Sequence, residues 1–443
     1  MIRYRARYVV PITAPPIADG VVAVEGDRIA YVGDGRAAPS GTDIDLGDVL
    51  LLPGLVNAHT HLELTAMRGF LEGLDFRSWI LRLTTAKREV FSREMLLDAA
   101  RYGIVEGLRH GVTAYADTCD SGVAFDAMRE MGVRGLMYQE VFGPDPAQCA
   151  GAMTELRAKV ARLRSLETAL VRIGVSPHAP YTVSDPLFAA VAKYARDESL
   201  PIAIHIAESE PEYNLIANAS GSFADGLRAR GIPVNPRARS PIAMLSSLDV
   251  LAAHPLLIHC VRVDEDDIAL IAGARCSVAH CPASNAKLGH GIAPLMAFLD
   301  ARIRVGLGSD SVASNNRMDI LEEARIASLF QRGQHGRFDQ MDAACALRLA
   351  TLGGAEAIGI HEEVGSLEVG KSADLAAFPL ADVAPVHDPI AAAVFALAGS
   401  TASFVAVAGR VLVGDGALVA ADPTLERRVQ HGADALQEWL QGR

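Results

Sequence analysis

The sequence has 443 residues, of which 50% are hydrophobic and 21% are charged. Because this length exceeds that of a usual single domain, it predicts one large domain and a smaller one. The 41 basic and 53 acidic residues give a net charge of −12, which argues against nucleic acid or an anionic membrane as a partner. A small-molecule substrate, even an anionic one, stays compatible with this charge, since a pocket needs only one or two local cations.

The cysteines and the chain start indicate the cellular compartment. Six cysteines are scattered along the chain without a Cys-x-x-Cys pair, so neither a disulfide framework nor a cysteine zinc site is indicated. The first residues lack the apolar segment and cleavage site of a secretory signal. No apolar run of about 18 residues could span a membrane. We therefore expect a soluble, cytoplasmic protein.

Three segments differ in their pattern. Residues 1–52 contain short strand-like runs separated by turn residues, and residues 363–443 return to such runs before a terminal helix. Between them, residues 53–362 alternate apolar strand-like runs with longer amphipathic stretches. This alternation predicts an α/β fold, a TIM-like (β/α)₈ barrel. We expect the two chain ends to combine into one small β-sandwich domain beside it.

A His-x-His pair follows Pro53 and Gly54 near the start of the predicted barrel. His59 and His61 are two residues apart on a predicted strand, so both side chains point to one face and can bind one metal ion together. The pair falls at the carboxyl end of the strand, which is the catalytic end of such barrels. A lone pair of this kind also occurs by accident.

Three further polar residues each end an apolar strand-like run. His205 is followed by Glu208, His259 ends residues 256–259, and Asp310 ends a glycine-rich run. Each has a structural alternative, a packed histidine for the first two and a helix N-cap for Asp310. Together with the His-x-His pair, however, they place polar groups at the ends of four apolar strand-like runs, in order along the predicted barrel. Such a set favours a metal site at the mouth of the barrel.

The sequence resembles the amidohydrolase superfamily and, within that superfamily, the cytosine deaminase and chlorohydrolase-like branch. The motifs that carry the resemblance are residues 53–61 (PGLVNAHTH), 205–208 (HIAE), 281–285 (CPASN) with Lys287-Leu288, 308–316 (GSDSVASNN) and 365–375. They span nearly the whole chain.

The resemblance implies a role for each residue. It implies His59, His61, His205 and Asp310 as metal ligands, and Glu208 and His259 as catalytic groups. Asp310 would also accept a proton from water, and Glu208 would carry one to the substrate. This ligand set is typical of one divalent transition metal, with Zn²⁺ favoured and Fe²⁺ or Mn²⁺ compatible.

A binuclear form of this superfamily bridges two ions through a carbamylated lysine on the fourth barrel strand. We expect that strand at residues 133–141, which contain no lysine. One metal ion is therefore expected, with Glu140 as the residue that could bridge a second. His61-Leu-Glu63 matches half of the motif of another zinc deaminase class, but no Cys-x-x-Cys completes it.

Three residues are candidates for substrate binding. His178 resembles a substrate-facing histidine of the deaminases, although it could instead support its proline-rich loop. Trp79 could line the pocket or pack a helix. Arg88, with Lys87 beside it, lies in a segment that could cover the pocket, or both cations could simply be solvated. Arg88 falls near the place where the family carries a ribose-binding glutamate.

The sequence is compatible with two enzymatic hypotheses and one non-enzymatic hypothesis. The resemblance favours hydrolytic deamination of an amino-heteroaromatic ring, such as an adenine nucleoside. The alternative is hydrolysis of a C–Cl bond of a triazine, or of a C–N bond of an amide or ring, by the same fold. A non-catalytic assembly protein would lack ligands that are present here. Either Glu89 takes the place of the family's glutamate by a one-residue shift, or Arg88 stands there. The arginine favours a carboxylated adenine nucleoside, 6-amino-6-deoxyfutalosine ahead of S-adenosylhomocysteine. The resemblance also suggests a homodimer or larger assembly.

Overall fold

Strands from both chain ends form one sheet in the computed structural model, which describes residues 1–442. This nine-stranded sheet contains β1 (Ile2–Val9), β2 (Ile17–Glu25), β3 (Arg28–Asp34), β4 (Thr42–Asp45), β5 (Val49–Pro53), β14 (Leu375–Pro379), β15 (Phe404–Val407), β16 (Arg410–Gly414) and β17 (Ala417–Leu418). The two ends meet where β5 pairs antiparallel with β14. Both chain ends therefore contribute to one β structure, and its sandwich arrangement stays a prediction.

Eight parallel strands occupy the middle of the chain. They are β6 (Leu55–Thr60), β7 (Val112–Cys119), β8 (Arg134–Val141), β9 (Val171–Pro177), β10 (Ala203–Ile206), β11 (Leu256–His259), β12 (Ser277–His280) and β13 (Arg304–Leu307). They form two four-stranded sheets, β6 to β9 and β10 to β13, each in sequence order. Isolated parallel bridges, Val175 to Ile202 and Thr60 to Asp310, join the two sheets at both seams. The predicted α/β fold class is confirmed.

Helices connect these strands and follow them. They are α1 (Phe76–Val90), α2 (Arg93–Arg109), α3 (Val123–Met131), α4 (Cys149–Arg164), α5 (Asp185–Glu198), α6 (Glu210–Asn218), α7 (Ser222–Arg228), α8 (Pro241–Ser247), α9 (Glu265–Gly273), α10 (Pro282–Lys287), α11 (Leu295–Asp300), α12 (Val312–Asn315), α13 (Ile320–His335), α14 (Ala343–Ala350), α15 (Leu352–Ala357), α16 (Pro389–Phe395) and α17 (Leu425–Gln441). Within residues 1–442, no helix is long and apolar enough to cross a membrane.

The expected position of the fourth parallel strand is wrong. Residues 133–141 overlap β8, which is the third strand, because β7 precedes it between β6 and β8. The fourth strand is β9, whose sequence VRIGVSP also contains no lysine. The absence of a lysine on the fourth strand therefore still predicts a single metal ion.

The segment after β6 covers the carboxyl ends of the strands. A 3-10 helix (Leu62–Met67) leads to α1, whose N-cap Asp75 accepts the backbone N–H of Ser78. The terminal helix α17 packs on this segment through Leu436, which shares an apolar cluster with Met67 and Leu83. The sequence pattern did not predict this contact between the end of the chain and the cover of the strands.

Candidate metal centre and substrate pocket

The four predicted metal ligands converge at the carboxyl ends of β6, β10 and β13. Asp310 Oδ1 lies 3.2 Å from His59 Nε2 and 3.6 Å from His61 Nε2. His205 Nε2 lies 3.3 Å from His61 Nε2. All four side chains are largely or fully buried. The fold thus brings together residues that are up to 251 positions apart in the sequence.

The protonation of this cluster fits a cation. His61 Nδ1 lies 3.0 Å from the carbonyl oxygen of Thr118, and His205 Nδ1 lies 3.2 Å from that of His178. A carbonyl oxygen only accepts, so each Nδ1 carries the proton and each Nε2 presents a lone pair. Burial lowers the pKa of His61 to about 3 and that of His205 well below its ordinary value. Neutral imidazoles with facing lone pairs, beside a carboxylate, match a divalent metal ion.

Asp310 owes its position to a glycine and two serines. A Cβ on Gly308 would lie 2.8 Å from the Cβ of His59, so only glycine lets the strand that carries Asp310 approach β6 this closely. The hydroxyls of Ser284 and Ser314 donate to Asp310 Oδ2 at 2.5 Å and 2.8 Å. These bonds hold Oδ2 and leave Oδ1 directed at the histidines.

The two predicted proton-handling groups lie beside the cluster. Glu208 Oε1 is 3.6 Å from His259 Nε2 and 3.3 Å from His290 Nε2. His259 Nδ1 lies 2.9 Å from Asn285 Oδ1, an acceptor that orients the ring. Glu208 and His259 were predicted from the sequence, but His290 was not, because it stands in a short Gly-His-Gly loop without strand or ligand spacing. Glu208 is thus held between two imidazoles.

A second glutamate, Glu212, was also missed and holds the loop that carries Glu208. Its two carboxyl oxygens accept the backbone N–H groups of Ala207, at 2.8 Å, and of Glu208, at 2.9 Å. Ala207 has a φ of 52°, a left-handed conformation that is unfavourable for alanine. Burial raises the pKa of Glu212 to about 8. The glutamate four residues after Glu208 was a signal for this contact, because it lies one helical turn away.

A cavity of about 540 Å³ opens above the cluster, and the three predicted substrate-binding residues, His178, Trp79 and Arg88, all line it. His178 follows β9, and its Nδ1 lies 2.7 Å from the hydroxyl of Thr182. Trp79 lies on α1 and lines the cavity together with Phe76 of the same helix. The Arg88 side chain is 74% exposed, which places its charge at the mouth of the cavity.

Lys87 is largely buried, whereas Arg88 is exposed. The sequence alone did not decide whether either cation is solvated. The Lys87 ammonium contacts the carboxylates of Glu63 and Asp120, and only 18% of its side chain is exposed. All three side chains line the cavity. Lys87 and Asp120 are 33 residues apart and lie on different elements, so no local pattern could have paired them.

Comparisons with known proteins agree with this geometry. Residues 50–412 match the Amidohydrolase family. The chain is 32% identical over 418 residues to a 5-methylthioadenosine/S-adenosylhomocysteine deaminase of Moorella thermoacetica, covering 92% of this chain and 93% of that protein. It is 32% identical to a protein of the same description from Halobacterium salinarum, covering 90% and 89% of the two chains.

Two solved structures with bound zinc are similar over nearly the whole chain. One is an adenosine deaminase from Xanthomonas campestris, with a TM-score of 0.89, 29% identity and coverage of 99% of this chain and 98% of the other. The other is an atrazine chlorohydrolase from Arthrobacter aurescens, with a TM-score of 0.84, 26% identity and coverage of 98% and 100%.

Proposed function

This chain belongs to the Amidohydrolase family and is a hydrolytic deaminase, and from that premise we propose that it deaminates an adenine nucleoside with a 5′ substituent. The family resemblance inferred from the motifs is confirmed. The observation that carries the substrate class is the placement of Glu208 beside the predicted ligand cluster, at the base of a cavity large enough for a nucleoside. The names of the similar deaminases support the same class.

We propose Zn²⁺ as the ion held by His59, His61, His205 and Asp310, which the zinc-bound similar structures support. When bound, the ion supplies Lewis acidity that lowers the pKa of a water molecule toward about 7. The carboxylate of Asp310 would then accept a proton from that water, because its Oδ1 faces the cluster while Oδ2 is held by two serines.

Glu208 and His259 complete the proposed chemistry. Deamination replaces the ring C–NH₂ with C=O, taking the oxygen from water and releasing ammonia. Glu208 Oε would carry a proton to the ring nitrogen that becomes electron-rich during attack. His259, oriented by Asn285, would stabilise the charge that develops beside it. Trp79 and Phe76 would exclude water from the ring, and His178 would contact its edge.

The 5′ substituent is proposed to carry a carboxylate that reaches Arg88 at the mouth of the cavity. Two substrates of this kind are candidates. The sequence favours 6-amino-6-deoxyfutalosine, whereas the names of the similar proteins favour S-adenosylhomocysteine. The atrazine chlorohydrolase of similar fold keeps hydrolysis of a triazine C–Cl bond as the second candidate.

The arrangement of domains is part of the proposal. We propose that residues 53–362 form a closed (β/α)₈ barrel, which the bridges at both seams support. Residues 1–52 and 363–443 would form the second domain around the nine-stranded sheet. A homodimer stays a prediction.

The direct test measures ammonia released from adenosine, methylthioadenosine and the two carboxylated nucleosides, and chloride released from a chlorotriazine. Glu208→Gln should keep the metal and lose about 10²–10⁴-fold in turnover, the usual value of general acid–base catalysis. Glu210→Gln, on an exposed side chain of the same segment, is the matched control. Loss of the metal in Glu208→Gln would make Glu208 a ligand and refute its proposed role.

Two further results decide the substrate. Arg88→Ala should abolish a preference for carboxylated nucleosides over adenosine while leaving adenosine deamination intact. An unchanged preference would remove Arg88 from the proposal. Chloride release without deamination of any adenine nucleoside would overturn the proposed substrate class in favour of the triazine alternative.

A further inference from the structure

Four ionisable side chains form one stretch of the cavity lining, which we call the acidic wall: Glu63, Lys87, Asp120 and Glu140. The wall adjoins the metal ligands. Glu63 follows His61 by two residues, and Asp120 follows Thr118, whose carbonyl oxygen contacts His61 Nδ1 at 3.0 Å.

Within the wall, Glu63 is already satisfied. Its Oε1 accepts from Lys87, and its Oε2 accepts from the hydroxyl of Ser121 and, at 3.2 Å, from the thiol of Cys119. The side chain is almost fully buried. Glu63 thus anchors Lys87 and has little capacity left for a ligand.

Lys87 and Asp120 each retain hydrogen-bonding capacity on the side that lines the cavity. The ammonium of Lys87 has three N–H donors, and its hydrogen bonds to Glu63 and Asp120 use two of them. The Asp120 side chain is 39% exposed. A donor and an acceptor in direct contact with each other therefore stand side by side in the lining.

Glu140 independently indicates that this wall meets a ligand. It is only 7% exposed, and within residues 1–442 its Oε1 has no hydrogen-bond partner. His178 Nε2 lies 4.0 Å from Glu140 Oε1. A buried polar atom without a partner costs free energy, so its presence in a cavity lining is explained by a group that the ligand supplies.

Resting on the proposed function, we propose that the Asp120–Lys87 pair recognises the vicinal diol of the nucleoside's ribose. Each hydroxyl of a diol can donate and accept, which matches a carboxylate beside an ammonium. The wall holds three carboxyl groups against one ammonium, so a substrate carboxylate is disfavoured here and is left to Arg88 at the mouth.

The test compares kcat/KM for adenosine, 2′-deoxyadenosine and 3′-deoxyadenosine in the metal-loaded enzyme. The wild type should prefer adenosine about 10–100-fold over at least one deoxynucleoside, the value of a hydrogen bond to a charged group. In Asp120→Ala this preference should shrink to about threefold or less, because kcat/KM for adenosine falls by a larger factor than kcat/KM for that deoxynucleoside. Asp120→Asn, which keeps the size of the side chain, should give an intermediate ratio.

The control is Asp197→Asn, which alters a carboxylate paired with Lys193 on the exposed surface of α5. It should leave the preference unchanged. A preference that survives in Asp120→Ala, or that is absent from the wild type, would overturn the diol assignment while deamination itself stands. A wild type that deaminates no adenine nucleoside would overturn the proposed function and this inference together.

Discussion

Glu212→Gln isolates the contribution of a residue that acts through Glu208 without touching the substrate. Glutamine keeps the shape of the side chain but offers one acceptor oxygen where Glu212 offers two, to the N–H groups of Ala207 and Glu208. One fully buried backbone N–H would then face the amide NH₂ without an acceptor. Leaving such a donor unsatisfied costs about 1–3 kcal/mol. The free energy of unfolding should fall by about that amount.

The kinetic effect should be larger in kcat than in KM. Release of one anchor lets the loop at Ala207, whose φ is 52°, relax and displace Glu208. A displacement of about 1 Å can cost up to about 10²-fold in rate, so we expect kcat to fall about 10–100-fold with the metal retained. Steady-state kinetics, urea unfolding and metal analysis measure these three quantities. Glu210→Gln is the control, and full turnover in Glu212→Gln would refute the positioning role.

The stability difference should also depend on pH. Burial raises the pKa of Glu212 from 4.5 to about 8, so between these values the folded state binds a proton that the unfolded state has lost. The stability of the wild type therefore falls as pH rises through this range, by at most about 1.4 kcal/mol per pH unit from this group. Glutamine does not titrate, so its destabilisation relative to wild type should be largest near about pH 5 and should shrink toward pH 8. A difference that grows with pH would contradict the raised pKa.

Five other variants test three separate parts of the molecule. Arg134→Met removes the cationic partner of the buried Asp374 carboxylate, which lies 3.0 Å from Arg134 Nε, and should cost about 3–5 kcal/mol in urea unfolding. Arg172→Met, which removes an exposed contact to Glu363, should change stability little, and equal losses would contradict the importance of burial. His59→Ala or His205→Ala should lose both bound metal and activity by elemental analysis and assay, and full metal occupancy in either would exclude that histidine as a ligand. Asn285→Ala frees the ring of His259 and should lower kcat about tenfold or more with metal retained, whereas an unchanged kcat would separate this contact from catalysis.

Local spacing was enough to predict the residues that converge on the metal site. His59 and His61 share a strand face because side chains alternate along a strand, and His205, His259 and Asp310 each lie within three residues of the end of an apolar strand. Parallel strands of this fold present their carboxyl ends at one face. The sequence pattern therefore determined the fold class and which polar side chains converge, whereas the division of these residues into metal ligands and catalytic groups came from the family resemblance.

Contacts between elements distant in sequence could be decided only by the tertiary structure. The position of the fourth strand was wrong because apolar runs alone do not show how many strands precede them. The burial of Lys87 depends on Glu63 and Asp120, which come from a 3-10 helix and from the loop after β7. The packing of α17 on the segment after β6 brings the C-terminal helix onto the segment that covers the strands. Each of these contacts joins side chains that are far apart in the sequence. The solvation and the pKa of a side chain depend on such neighbours, and periodicity along the chain does not encode them.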